Sequence, residues 1–432
     1  YNIFSSEWPV ANRVIELYLQ KKSENGGWER QINGISNNEK AVLLLEKRTF
    51  KELLVDMELR NLQNNIVGQE ASRLFARAEI NMGVEAFRDS LYSLLKRNTF
   101  LNIKFENMLD TLGEISRTDI RSLLGEWEKT TPLPFYSLGE PTLTKITNKG
   151  GEEFFVLKML ISNNSDYDGI IHMDIRKDGW WYQPLEDPRA KTKIEMPAHT
   201  SKEFVSVWED QIRNVEINTM VSGNLPNIIS QDINNVKQER NKIVKDSIYI
   251  LPESSFDLPG EIIVDNEDST LFILSAPPIV GLLPKWLDEV EETPFKYSGI
   301  SWWRPPLQWT ATTNDRYYGK YIRSAFVIKS GDGSQTATWK VPVPEVGQYD
   351  LYYHVFKDDE LRWNNNLQGE YHFKVKYGSE VEDAYVNLRK ANEGWEQLGS
   401  YYFDSDTVRV VLTDECKLRS VTADAVKIVK RY

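Results

Sequence analysis

Few side chains in this sequence stand at spacings that would let them do chemistry. Its four histidines are His172, His199, His354 and His372. None of them falls at the helical or hairpin spacing by which two imidazoles share a metal. They read as packing or surface residues, with ligation as the alternative. Asn164-x-Asp166-x-Asp168-Gly169 resembles the first half of a calcium loop, but position twelve is Ile175 where a bidentate Glu is needed, so the segment reads as a turn. Gly331-Asp332-Gly333-Ser334 lacks the lysine and the strand–helix context of a phosphate loop, and reads as a hairpin turn. Cys416 is the single cysteine, which excludes an internal disulfide framework and a thiolate-clustered metal site. Among 64 acidic residues no carboxylate pair is singled out for acid–base work. No catalytic, cofactor-binding or metal-ligating residue is assigned, and no cofactor is expected.

The aromatic side chains are the remaining chemical resource, with 13 Trp and 20 Tyr. A sugar ring can lay its apolar C–H face on Trp or Tyr while Asn, Asp or Arg hydrogen-bond its hydroxyls. Trp302, Trp303 and Trp309 sit in a Pro-flanked stretch with Arg304, Asn314 and Asp315 close by, and Trp363 lies among Asn364, Asn365 and Asn366. Trp302, Trp303, Arg304, Trp309 and Trp363 are the candidate glycan contacts. The competing reading is that the first three tryptophans seal their loop against the fold beneath. Trp339 and Trp395 read as core, and Trp180-Trp181 as an interdomain contact.

The elements that must hold these residues are set by a change in hydrophobic period. Over residues 8–127 the pattern is helical: Val14, Leu17 and Tyr18 fall at i, i+3, i+4, and Leu74, Phe75, Ala78 and Met82 repeat the spacing. Ser116 or Thr118 can cap the stretch that ends at Trp127, with Gly113 closing the helix before it. Pro132 and Pro134 cannot sit inside one helix, so a helix-to-strand boundary is expected near 130–140. From about 142 to 222 the period drops to two, predicting strands at 154–161, 170–175, 204–208 and 215–221. The polar stretch 232–245 reads as one exposed helix or linker. Strands resume near Ile262 and run to Val429.

Composition narrows the function classes. The chain of 432 residues carries 52 Lys and Arg against 64 Asp and Glu, a net charge of −12. That sign argues against a nucleic-acid partner. No apolar run reaches the roughly 18–20 residues of a membrane helix. Tyr1 opens without a basic n-region or a small-residue cleavage site, so the sequence is expected to start inside a longer or processed polypeptide.

Three ordered blocks carry a resemblance. The first holds Gly333-Ser334, Thr336-Ala337, Trp339, Pro344, Gly347 and Tyr349. The second holds Gly394-Trp395, Leu398-Gly399, Tyr401 and Phe403, and the third holds Val408, Val410, Leu412 and Ala423-Asp424-Ala425-Val426. With Asp265-Asn266, residues 258–432 resemble the golvesin/xanthan-lyase carbohydrate-binding-like domain, interrupted by an insertion at about 277–309. The resemblance implies a jelly-roll-like sandwich of bacterial exported proteins, at the periplasm or cell surface. In the helical part, Met82-Gly83-x-Glu85-x-Phe87-Arg88, Leu94-Leu95-x-Arg97, Phe105-Glu106-x-x-Leu109 and Trp127 resemble the post-catalytic region of gluzincin aminopeptidases. That family's zinc motif, two His flanking a Glu, is absent from this sequence, and no Tyr stands between Tyr18 and Tyr92 where the family's tyrosine is expected.

The expected fold is multidomain α + β: a helical domain at 1–135, a small β-sandwich with a linker helix at 136–254, and a golvesin-like, jelly-roll-like β-sandwich at 255–432. The expected function is that of a non-catalytic accessory region that binds a glycan or a peptide or protein through the last domain. The alternative is the C-terminal part of a zinc aminopeptidase whose catalytic half, an upstream portion of the same polypeptide, precedes Tyr1.

Overall fold

A computed structural model describes residues 2–20, 27–177, 183–240, 242–252, 260–275, 295–301, 304–357 and 369–431. The chain forms two compact units, one of Tyr1–Gly26 with Asn37–Phe256, the other of Gly27–Ser36 with Asp257–Tyr432.

The helices are α1 (Ala11–Leu19), α2 (Gly27–Asn33), α3 (Asn37–Lys47), α4 (Phe50–Val55), α5 (Gln63–Met82), α6 (Val84–Arg97) and α7 (Phe105–Ser116), and α2 groups with the second unit. The helical spacing expected from the sequence is realised: Val14, Ile15 and Tyr18 of α1 are buried with Leu74, Phe75 and Ala78 of α5. Trp8 and Trp127 meet edge to face with centroids 5.0 Å apart, closing the same core. Thr49 opens α4 with a capping box, its hydroxyl accepting from the Glu52 N–H while the Glu52 carboxylate accepts from the Thr49 N–H. The segment ending at Trp127 is capped differently from expectation. Arg117 stands in the left-handed region after α7, and Asp119, rather than Ser116 or Thr118, accepts from the Ser122 N–H. Asx side chains reach the third residue on as readily as hydroxyls do.

The first strand after the prolines is Tyr136–Leu138, inside the expected boundary. A six-stranded sheet runs in the order Val236–Arg240, Thr142–Thr147, Glu153–Asn163, Thr200–Trp208, Ser247–Pro252, with Tyr136–Leu138 on Glu153–Asn163. A five-stranded sheet faces it, ordered Ile228–Asp232, Ile212–Asn218, Gly169–Lys177, Gln183–Pro184, with Lys191–Met196 also on Gly169–Lys177. Leu157, Met159 and Ile161 pack against Ile171, Met173 and Ile175 between them. Among the described residues of 232–245 there is no linker helix. Val236–Arg240 is an edge strand, parallel to Thr142–Thr147. Its polar sequence suits an edge with solvent on both faces, and polarity alone does not tell such a strand from an exposed helix.

The second unit is a β-sandwich. Its four-stranded sheet is ordered Glu261–Val264, Val426–Lys430, Gly347–Val355, Gly394–Phe403. Its five-stranded sheet is ordered Phe272–Leu274, Thr336–Pro342, Thr407–Thr413, Glu370–Tyr377, Glu380–Asn387. A three-stranded sheet holds Thr310–Thr313, Ser324–Lys329 and Ser420–Ala423. Trp339, Tyr349, Leu351, Tyr353, Phe373 and Phe403 form the dry interior. The segment 331–334 is not a hairpin within one sheet, because the strands it joins lie in different sheets. Asp414 fixes this crossover: its carboxylate accepts from the Gly333 N–H at 2.8 Å and the Gln335 N–H at 3.2 Å.

Two carboxyl groups of this unit are destabilised as anions. Burial pushes Asp424 up against the favourable pairing with His354, and burial followed by the charges of Asp424 and Glu267 pushes Asp265 well above the usual carboxylate range. A raised folded-state pKa means that the folded unit holds the proton more tightly than the unfolded chain does. The contribution to stability is therefore present on the acid side and lost as pH rises through the folded-state value. Asp265→Asn is expected to flatten that decline and to raise the neutral-pH melting temperature; a profile unchanged from wild type would contradict it.

Candidate functional site

In the first unit, strand alternation places Ile171, Met173 and Ile175 in the core and turns His172, Asp174 and Arg176 to the opposite face. That face and helices α1, α5 and α6 line a cleft of ≈ 1040 Å³. At its wall lies a buried ion pair between Lys193 Nζ and Glu79 Oε2, with both side chains 2% exposed. Tyr18 Oη donates to the other Glu79 oxygen at 2.8 Å, and burial followed by the Glu79 charge keeps this phenol protonated. Arg176 bridges two carboxylates that are opposite in register, Asp174 at 3.3 Å and Glu216 at 2.8 Å. Asp174 Oδ1 is buried without a hydrogen-bond partner. Gly68 also lines the cleft, and a Cβ added there would meet nothing within 4 Å.

Among the described residues no group of three His, Cys, Asp or Glu is placed to hold a metal ion. His172 lines the cleft, and His199 pairs with Asp166 at 2.8 Å on the surface. His354 Nδ1 meets Asp424 at 2.8 Å, and His372 lies between Asp383 and Glu415 at 2.7 and 3.4 Å. The acidic residues of the calcium-like segment serve the loop itself: Asp168 accepts from the Ala198 N–H at 2.9 Å, and Asp166 holds His199.

The second unit offers an aromatic face. On the outside of its four-stranded sheet, His354 and Trp395 stand opposite each other, as do Tyr352 and Lys427. Trp395 meets His354 edge-on at 5.2 Å and Tyr318 at 5.1 Å. Lys427 Nζ lies 4.8 Å from the Trp395 ring and 5.4 Å from the Tyr352 ring, and 2.9 Å from Glu261. Beside these rings, Gln397 and Ser400 both donate to Asp350. Trp395 is thus half-buried on the outer face rather than in the core, because the register opposite outward-pointing His354 turns it outward too.

The candidate contacts read from sequence are not brought together. Trp302, Trp303 and Trp363 lie outside the described residues, as do Trp180 and Trp181. Arg304 is exposed in an isolated bridge with Ser301, and Trp309 packs against the sandwich core. Trp339 is fully buried, as expected of a core residue. The residues that sequence reasoning missed are Tyr318, Tyr352 and Lys427. Period-two alternation was the available signal for Tyr352 and Lys427, whose sequence neighbours Leu351, Tyr353, Val426 and Ile428 are all buried.

Residues 305–430 match the Golvesin C-terminal domain family. This part of the chain is a golvesin-type, carbohydrate-binding-like β-sandwich. No curated protein matches the chain. Among solved structures, Bacteroides uniformis β-glucuronidase aligns at 12% identity and TM-score 0.21, over 73% of this chain and 32% of that one. Bacteroides uniformis β-glucuronidase 2, covalently bound to cyclophellitol-6-carboxylate aziridine, aligns at 11% and 0.20 over 73% and 32%. The chain thus spans about a third of the length of these structures.

Glu79 and Lys193 are 114 residues apart in sequence and neutralise each other inside the first unit. Glu79→Ala would leave the ammonium buried and unpaired, and is expected to cost about 3–5 kcal/mol in denaturant unfolding. The double variant Glu79→Leu with Lys193→Met is expected to recover most of that loss; a single variant as stable as wild type would contradict the pairing.

Proposed function

We propose that this chain is a non-catalytic accessory region of an exported bacterial protein, at the periplasm or cell surface, whose golvesin-type domain holds a glycan. The observation that carries the reading is the outer face of the four-stranded sheet. There Tyr352, Trp395 and Tyr318 lie beside Gln397, Ser400 and Asp350. Rings offer edges and partial faces to a sugar's C–H surface, while the amide and carboxylate suit its hydroxyls. Arg304, Trp302, Trp303 and Trp363 remain proposed as accessory contacts. On a glycan array the chain is expected to retain at least one ligand, and Gln397→Ala and Trp395→Ala to weaken it roughly tenfold, as loss of one good contact does. Gln397 is exposed, so its variant should melt with the wild type. No ligand across a broad array would end this reading.

The cleft of the first unit favours a second reading, in which the helices and first sandwich wall a chamber for peptide. In that case a zinc-bearing portion of the same polypeptide would supply the chemistry. Because Gly68 faces open space in the cleft, Gly68→Trp should fill it with little change in melting temperature. A peptide library retained by the chain should then be lost from the variant; equal retention by both would exclude the chamber.

A further inference from the structure

One part of the outer face of the five-stranded sheet in the second unit is cationic, against the net acidic charge of the chain. Residues 255–432 hold 20 Lys and Arg against 27 Asp and Glu. Yet Lys340, Arg409 and Lys376 stand side by side on three adjacent strands, Lys340 opposite Arg409 and Arg409 opposite Lys376. Their sequence neighbours Trp339, Val341, Val408, Val410 and Val375 are all fully buried, which fixes the three cations on the outside. Lys374 adds a fourth charge on the same face, in the next row. Among the described residues none of the four makes an ion pair, whereas Lys145, Arg176, Lys177, Arg189 and Lys193 of the first sandwich each do.

Like charges directly opposite across a sheet are destabilising, and here they recur over three strands spaced about 4.8 Å apart. The face continues past Lys374 to His372 and Tyr385, whose rings stack with centroids 4.9 Å apart and 9° between planes. Tyr385 is 56% exposed. Asp383, which stands opposite Lys374, and Glu415 bracket His372 and bound the cationic area on that side. A line of unpaired cations with an exposed flat ring two rows further along the same face matches a ligand that alternates charge with apolar ring faces.

We propose that the face formed by Lys340, Arg409, Lys376, Lys374 and Tyr385 binds an acidic polysaccharide, one whose sugar units carry carboxylate or sulfate groups. One charge per sugar puts anions at a spacing comparable to that between strands. Duplex nucleic acid, with a charge about every 1.7 Å of axis, calls for a domain of net positive charge. An anionic membrane likewise attracts a polybasic segment rather than a net-acidic domain. This site deepens the glycan reading but uses a sheet face separate from that of Trp395, so the two can fail independently.

The probe is polygalacturonate, compared with neutral dextran, single-stranded DNA and phosphatidylserine vesicles, on the full chain. The wild type is expected to bind polygalacturonate, more weakly as salt rises, and not the other three. The triple variant Lys340→Gln, Lys376→Gln, Arg409→Gln should bind it roughly tenfold more weakly. Its melting temperature should be equal or higher, since repulsion is relieved, and Lys376→Arg should retain binding. Trp395→Ala should leave polygalacturonate binding intact while losing any array ligand. Absence of polygalacturonate binding, equal binding by the triple variant, or tighter retention of dextran, DNA or vesicles would each overturn the proposal.

Discussion

The constraint on which the rest depends is the dry interior of the two sandwiches. Once Trp339, Tyr353, Phe373 and Val410 are committed to the core of the second unit, strand geometry leaves their neighbours no choice of side. His354 points outward because Tyr353 and Val355 point inward, and Arg409 because Val408 and Val410 do. A one-residue slip in any central strand would bury a charge and expose an aromatic ring. The chemistry of both outer faces therefore has the register of the core as its guarantee.

In the first unit a different device joins the layers. The buried Glu79 on α5 and Lys193 on the five-stranded sheet meet at the wall of a cleft lined by both polar and apolar side chains. Two charges removed from water are worth holding only if each fully satisfies the other, and Tyr18 takes the remaining acceptor of Glu79. Such a pair specifies one seating of helix on sheet more sharply than apolar contacts do, since an offset of one residue would strand both ions. Arg176, clamping Asp174 and Glu216, does the same between adjacent strands.

Most of the fold was legible because its elements follow period. The change near Pro132, the strands at Glu153–Asn163 and Gly169–Lys177, and the helical faces of α1 and α5 each emerge from local spacing. What was not legible depended on partners distant in sequence. Val236–Arg240 is a strand only because Thr142–Thr147 offers it an edge. The segment 331–334 crosses between sheets because Asp414, far along the chain, holds its N–H groups. The sites were harder still. Tryptophan density drew attention to loops, and Trp309 turned out to pack on the core. Lys340, Arg409 and Lys376 look like ordinary strand lysines and arginine until the register aligns them.

The two outer faces of the golvesin-type domain treat their cations in opposite ways, and that contrast bears on function. On one, Lys427 is spent internally, held by Glu261 and flanked by Tyr352 and Trp395, so that the face presents rings and amides with little net charge. On the other, the charges stand unpaired against one another. A neutral segment of a polymer suits the first and an acidic segment the second, each by a weak surface interaction. Two weak contacts on one rigid body gain from effective concentration when a single long chain reaches both. A sandwich that presents different chemistry on its two sides is thereby suited to a heterogeneous polymer, where a domain with one kind of face would grip only part of the repeat.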